Sequence, residues 1–345
     1  MKRSILSLLA ALALAGTASA YEQPKVYDLK PNERVLIIGD STTYDGTDVA
    51  GYVRLVDQAI QEQIPDRKAA VRSQAWPGVK LVPEHPERWK PMAENESWRK
   101  VLQHPNAPTT VIYNLGLNDS KQGEANVPTY EKWVRKYVED VRANKMNVIL
   151  CTPTLWVGLT QTKSYAEAVR RVATEMKCPL IDLYAAHAAA FEQKKRLTRD
   201  GTHLNMAGEI MSASTILNAF GLKAEWKRYQ LRFGAMRNNW STGGDTKVLV
   251  EPALSDAKPD LENPKGPFPI FGALWNANWP TEQAAYAPGT KVTLKVDPAS
   301  GRIFHHWADF DGLLPKDAPA TLTIVMDGHK SVTLYYEAPA DGKRK

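Results

Sequence analysis

The stretch R-V-L-I-I-G-D-S-T-T-Y-D-G, Arg34 to Gly46, decides the reading of this chain. Val35 to Ile38 are apolar without a break and largely β-branched. Such a run suits a strand buried on both faces, as in a parallel sheet covered by helices. The run stops at Gly39-Asp40-Ser41, which puts a hydroxyl at the carboxyl end of the strand. Ligands of open parallel sheets bind at those ends.

Working outward, the pattern alternates from residue 34 to about 220. Strand-like apolar runs recur at 109–115, 147–152 and 179–183, with a weaker one at Lys68–Ser73. Between them lie helical patterns. In Thr129–Lys145, Tyr130, Trp133, Val134, Tyr137, Val138 and Val141 fall at i, i+3, i+4 spacing. Gly51–Ile64, Tyr165–Met176 and Asn205–Phe220 read likewise, the last with Asn205 as its N-cap. Alternating strands and helices predict an α/β fold with a parallel sheet.

After about Leu222 the texture changes. Residues 241–290 are rich in Pro, Gly and Asn, and short alternating strands start at Lys291, Thr321 and Ser331. This predicts a small all-β module. The boundary lies between 221 and 240, and we divide the chain into 21–225 and 226–340.

Residues 1–20 read as a signal peptide. Lys2 and Arg3 precede an apolar run from Ile5 to Ala15, and Ala18 and Ala20 place cleavage after Ala20. The expectation is a secreted protein, periplasmic or extracellular, without a membrane span. A net charge of +6 is mild for 345 residues and argues against a nucleic-acid partner. Cys151 and Cys178 fall at opposite ends of two adjacent strands, so two unpaired buried thiols are expected.

Three stretches carry chemistry: Gly39-Asp40-Ser41, Gly116-Leu117-Asn118-Asp119 and Asp200-Gly201-Thr202-His203. A parallel sheet brings the first two to one edge, and the third reaches it from the loop before the last helix. The set supplies what acyl transfer needs. Ser41 is a hydroxyl nucleophile that needs a base. His203 can take its proton, and Asp200 can orient the imidazole. The Ser41 N–H, the Gly78 N–H in W-P-G-V and the Asn118 carboxamide are candidate oxyanion donors. Asp40 and Asp119 read as groups that bond backbone in these loops, and Asp182 as a helix cap. A metal site from Asp40, Asp45, Asp119 and His203 would leave Ser41 without a role, so no metal or cofactor is assigned. His305-His306 beside Trp307 reads as part of a β surface.

These blocks resemble the SGNH/GDSL hydrolase family over residues 34–220. The resemblance places catalytic Ser41, Asp200 and His203, and an oxyanion hole of Ser41, Gly78 and Asn118. The Gly78 block departs from the pattern, with S-Q-A-W-P-G-V where the family often has Asn. The implied fold is a flavodoxin-like three-layer α/β/α sandwich. Residues 286–337 resemble one copy of a bacterial β-repeat module. Its region holds Trp226, Trp240, Trp275, Trp279 and Trp307, which suit either a small β core or contact with carbohydrate or a cell surface.

The resulting expectation is a serine ester hydrolase removing short acyl groups, acetyl above all, from carbohydrate or related esters. The alternatives are a lysophospholipase or thioesterase acting on longer chains, and a surface-binding protein with an idle hydrolase domain.

Overall fold

The structure, a computed structural model, describes residues 21–237, 248–251, 285–296, 303–308, 314 and 318–337. The segment read as a signal peptide lies outside them. Five strands make one parallel sheet: β1 (Arg34–Gly39), β2 (Ala70–Ala75), β3 (Thr110–Asn114), β4 (Asn147–Cys151) and β5 (Leu180–Ile181). Their order is β2-β1-β3-β4-β5, the flavodoxin-like arrangement. The weak strand expected at Lys68–Ser73 starts two residues later. Lys68 is left-handed, with φ 50°, and closes the turn over Pro65–Arg67 before extension can begin.

The helices are α1 (Ser41–Asp45), α2 (Tyr52–Gln63), α3 (Glu96–Gln103), α4 (Val127–Ala143), α5 (Thr162–Glu175), α6 (Leu183–Glu192) and α7 (Met206–Ala219). Alternate strand residues feed two cores. Val35, Ile37, Ile112 and Ile149 meet Leu55, Ile60, Ile216 and Leu217 from α2 and α7. Val111, Tyr113, Val148 and Leu150 meet Trp133, Val138, Val169 and Val172 from α4 and α5. This is why the strands read as unbroken apolar runs: both faces are covered. Helix α3 carries only a short stripe, Trp98, Val101 and Leu102, and α6 has none. Only Val101 of α3 is fully buried, and α6 is apolar on every side. Asp182 does cap α6, accepting from the Ala185 N–H at 3.1 Å. Both cysteines are free and buried.

The C-terminal region forms two sheets. One runs β10 (Ile303–Ala308), β12 (Lys330–Glu337), β6 (Tyr229–Arg237), β8 (Ala285–Tyr286). The other runs β11 (Thr321–Val325), β9 (Lys291–Val296), β7 (Val248–Glu251). Leu231, Val292, Leu294, Trp307, Ile324 and Val332 share its core. Trp307 is buried there and donates to the Pro319 carbonyl at 2.9 Å, so it fills the core. Trp240, Trp275 and Trp279 lie outside the described residues. His305 and His306 fall in β10.

Strand β6 was not legible in the sequence, and it matters most, because it ties this region to the α/β domain. Leu222, Ala224 and Trp226 already pack on the α2–α7 core, so a division at 225 falls inside a packed segment. Trp226 donates to the Leu55 carbonyl at 2.7 Å. Gln230 is fully buried; it accepts from the Ala50 N–H at 2.6 Å and donates to Gln58 Oε1 at 2.7 Å. Its own N–H donates to His329 Nδ1 at 2.9 Å. That bond needs a neutral imidazole, and burial pushes the His329 pKa down to about 3.

Replacing Gln230 by Ala would orphan the Ala50 N–H and one end of Gln58. A buried group without its partner costs about 1–3 kcal/mol, and Gln230→Ala should lose that much in urea unfolding. A loss below about 0.5 kcal/mol would mean that β6 is not docked on the α/β domain.

Candidate active site

The site forms where the strand order reverses. Gly39 at the end of β1 stands in register with Ala75 of β2 and with Asn114 of β3. Ser41, Gly78 and Asn118 follow those three residues at the same sheet edge. Two short-range devices turn the chain there. Asp40 caps α1, its Oδ1 accepting from the Thr42 N–H and the Thr42 hydroxyl, each at 3.0 Å. Gly39 leaves room for Thr43, whose side chain occupies the space a Cβ would need. Thr43 Oγ1 is in turn 2.7 Å from the Tyr52 hydroxyl.

The second block is held from below. Gly116, at φ +125°, allows the chain to pass over Tyr130, whose hydroxyl donates to the Leu115 carbonyl at 2.8 Å. Asp119 is fully buried and accepts from the Leu81 and Val82 N–H groups, both at 2.9 Å. Asn118 Nδ2 donates to the Val79 carbonyl at 3.1 Å. The loop carrying Gly78 is therefore fastened to the Asn118 loop by three hydrogen bonds. The Ser41 N–H, at the first position of α1, has no acceptor inside the helix.

The third block is a tight loop between Leu197 and Asn205. The Arg199 N–H donates to the His203 carbonyl at 2.8 Å, and the Asn205 N–H to the Leu197 carbonyl at 3.1 Å. Asp200 Oδ1 accepts from the Thr202 and His203 N–H groups at 3.0 and 2.8 Å. Its Oδ2 lies 2.7 Å from His203 Nδ1. His203 Nε2 lies 3.1 Å from Ser41 Oγ. The structure thus joins Ser41, His203 and Asp200 in one chain of hydrogen bonds, although 162 positions separate the first two. Partial burial pushes the Asp200 carboxyl up, but the bonds from the His203 ring and the two N–H groups outweigh it. They hold it below the usual carboxylate range.

The carboxylates considered as metal ligands have other partners: Asp40 holds Thr42, Asp119 holds Leu81 and Val82, and Asp45 pairs with Arg199. Sequence reasoning missed Arg199, Glu209 and Arg232, which surround the site through contacts far apart in the chain. It also passed over Tyr44 and Trp76, which are 52% and 57% exposed. Tyr44 is three residues from Ser41 on α1, and the Trp76 N–H donates to the Gly39 carbonyl at 3.1 Å. Two exposed aromatic residues therefore sit on the segments that adjoin the serine.

A family profile, the GDSL-like lipase/acylhydrolase family, matches residues 37–209. A second, the divergent InlB B-repeat domain, matches residues 277–340. No curated protein matches the chain. Solved structures with a similar fold include an acetylxylan esterase from Geobacillus stearothermophilus, at 22% identity and TM-score 0.45, covering 57% of this chain and 98% of that one. The acetyl xylan esterase AlAXEase has 21% identity and TM-score 0.46 over 54% of this chain and 98% of that one. An alpha/beta hydrolase enzyme from the metagenome of Lake Arreo, Spain, has 23% identity and TM-score 0.46 over 56% and 96%.

Burial pushes the Asp40 pKa up to about 6, against the bonds from Thr42; the Asp119 charge adds to the rise and His203 opposes it. The folded state therefore holds this proton more tightly than the unfolded chain, where the value is about 4. Stability from that proton is complete below about pH 4 and is lost as pH rises through about 6. Asp40→Asn keeps an oxygen for Thr42 and removes the charge. It should gain on the order of 2–3 kcal/mol over wild type at pH 8 relative to pH 4, read from urea unfolding at both. An equal difference at the two pH values would contradict the assignment.

Proposed function

The chain belongs to the GDSL-like lipase/acylhydrolase family and is a carboxylic ester hydrolase, and we propose that it works as a serine esterase through Ser41, His203 and Asp200. The observation that carries this reading is the 3.1 Å contact of Ser41 Oγ with His203 Nε2, continued at 2.7 Å from Nδ1 to Asp200. Ser41 Oγ attacks the ester carbonyl while its proton passes to Nε2. Asp200, kept ionised, fixes the tautomer with the proton on Nδ1 and stabilises the imidazolium. The oxyanion takes hydrogen bonds from the Ser41 N–H, the Gly78 N–H and the Asn118 amide. One Nδ2–H of Asn118 is spent on Val79, which orients the second. The imidazolium then protonates the leaving alcohol, and a water activated by the same nitrogen releases the acid.

The acyl group we propose is short, acetyl above all, and the alcohol a carbohydrate. Tyr44 and Trp76 support this, since exposed aromatic rings on the segments that adjoin the nucleophile can stack on sugar rings. The divergent InlB B-repeat match and the apolar N-terminal segment fit a protein exported to meet such a substrate, cleaved after Ala20.

Ser41→Ala should lower kcat on a nitrophenyl acetate by a factor on the order of 10⁴–10⁶ with the fold intact by circular dichroism. Full turnover in the pure variant would end the serine mechanism. Asn118→Ala should cost roughly 10²–10³ in kcat and little in KM, because the amide acts on transition-state charge. A chain-length series then tests the acyl group. Preference for octanoyl over acetyl would favour a lysophospholipase or thioesterase, and no turnover of any ester would favour an idle domain.

A further inference from the structure

Arg232 lies on β6, in the C-terminal β region, yet its guanidinium ends inside the α/β domain. Nε donates to the Val49 carbonyl at 2.7 Å. Nη2 donates to the Asp45 carbonyl at 2.9 Å and to Glu209 Oε1 at 3.4 Å. Asp45 is the last residue of α1, the helix that Ser41 opens. Glu209 stands in the first turn of α7, the helix that follows His203. One side chain from outside the α/β domain therefore grips the helix of the serine and the helix behind the histidine.

Two further links close the ring. Glu209 Oε2 accepts from the Tyr52 N–H at 2.9 Å, and the Tyr52 hydroxyl meets Thr43 on α1. The Asp45 carboxylate pairs with Arg199, whose N–H donates to the His203 carbonyl at 2.8 Å. Helix α1 has five residues, too few to be stable alone, and its terminal carbonyls need donors. A guanidinium suits this place. It brings a cation to the carboxyl end of the helix, and its fixed fork of donors reaches carbonyls and carboxylate together. Glu209 is fully buried; burial pushes its pKa up to about 7, and the Arg232 guanidinium opposes that rise. Without Arg232 the carboxyl would be held as the neutral acid, and the ion pair that ties α7 to β6 would be lost.

We propose that Arg232 is a positioning residue that holds Ser41 against His203, so that β6 completes the active site. The claim rests on the reading of Ser41 and His203 as the reacting pair. It makes the C-terminal region part of the catalytic architecture, beyond the stretch that the hydrolase family profile covers.

The test compares Arg232→Met and Arg232→Lys with wild type in the full chain. Competent sites are counted by stoichiometric labelling with a fluorophosphonate, and kcat is expressed per labelled site on a nitrophenyl acetate. Misplacing a catalytic group by a fraction of an ångström to one ångström costs up to about 100-fold, so Arg232→Met should lose roughly 10-fold to 100-fold in kcat per site. KM should stay within about twofold, because no substrate contact is removed. Arg232→Lys keeps the charge against Glu209 but lacks the fork, and should fold with an intermediate kcat. Wild-type kcat per labelled site in either folded variant would overturn the proposal. So would failure of Arg232→Lys to fold, because Arg232 would then be a stability residue only. A wild-type protein that hydrolyses the ester but takes no label would instead refute the serine reading beneath it.

Discussion

The register that sets Gly39 level with Ala75 and Asn114 is the constraint on which the site depends. Strand pairing fixes it at the centre of the sheet, where both faces are buried and slippage would throw apolar side chains to the wrong layer. Once it is fixed, three loops leave the same edge within a few residues of each other. Ser41, Gly78 and Asn118 then need only local devices to face a common point. Those devices are visible: the Asp40 cap, the missing Cβ at Gly39, and the buried Asp119 carboxylate that fastens one loop to the next. None of them touches a reacting atom. Each spends a buried polar group on backbone geometry, which is how a loop can be held as firmly as a strand.

The fold of residues 34–220 was legible because its signals are local. Apolar runs buried on both faces and three turns of i, i+3, i+4 spacing in α4 leave little choice of element. The Asn205 cap is equally local, and its side chain does accept from the Gly208 N–H at 2.9 Å. The Ser41, Asn118 and His203 blocks were legible for the same reason, since each is a short motif at the end of an element. What stayed hidden is long-range. Arg232 in Q-L-R-F carries no mark that its guanidinium would reach Asp45, 187 positions away. Gln230 reads as an ordinary strand residue, yet it is fully buried because Ala50 and Gln58 require a partner. Strand β6 itself pairs in parallel with β12, a strand far along the chain, and no hairpin signal announces such a pairing.

These contacts change the view of how the chain is divided. The β region has a core of its own around Trp307, Leu294 and Val332, as a module should. Its first strand nevertheless serves two masters. Its two edges pair with β12 and β8, and two of its side chains reach the α2–α7 side of the hydrolase domain. The aromatic residues divide along the same line. Trp226 and Trp307 are used for docking and core, with their indole N–H groups bonded to carbonyls. Tyr44 and Trp76 are exposed on the segments that adjoin Ser41.

The central claim is that the acyl group passes through Ser41. A single turnover of nitrophenyl acetate, quenched in acid and mapped by peptide mass spectrometry, tests it most directly. The account predicts an acetyl group on the peptide containing Ser41, and none there in His203→Ala. Release of nitrophenol with Ser41 unmodified throughout the turnover would contradict it.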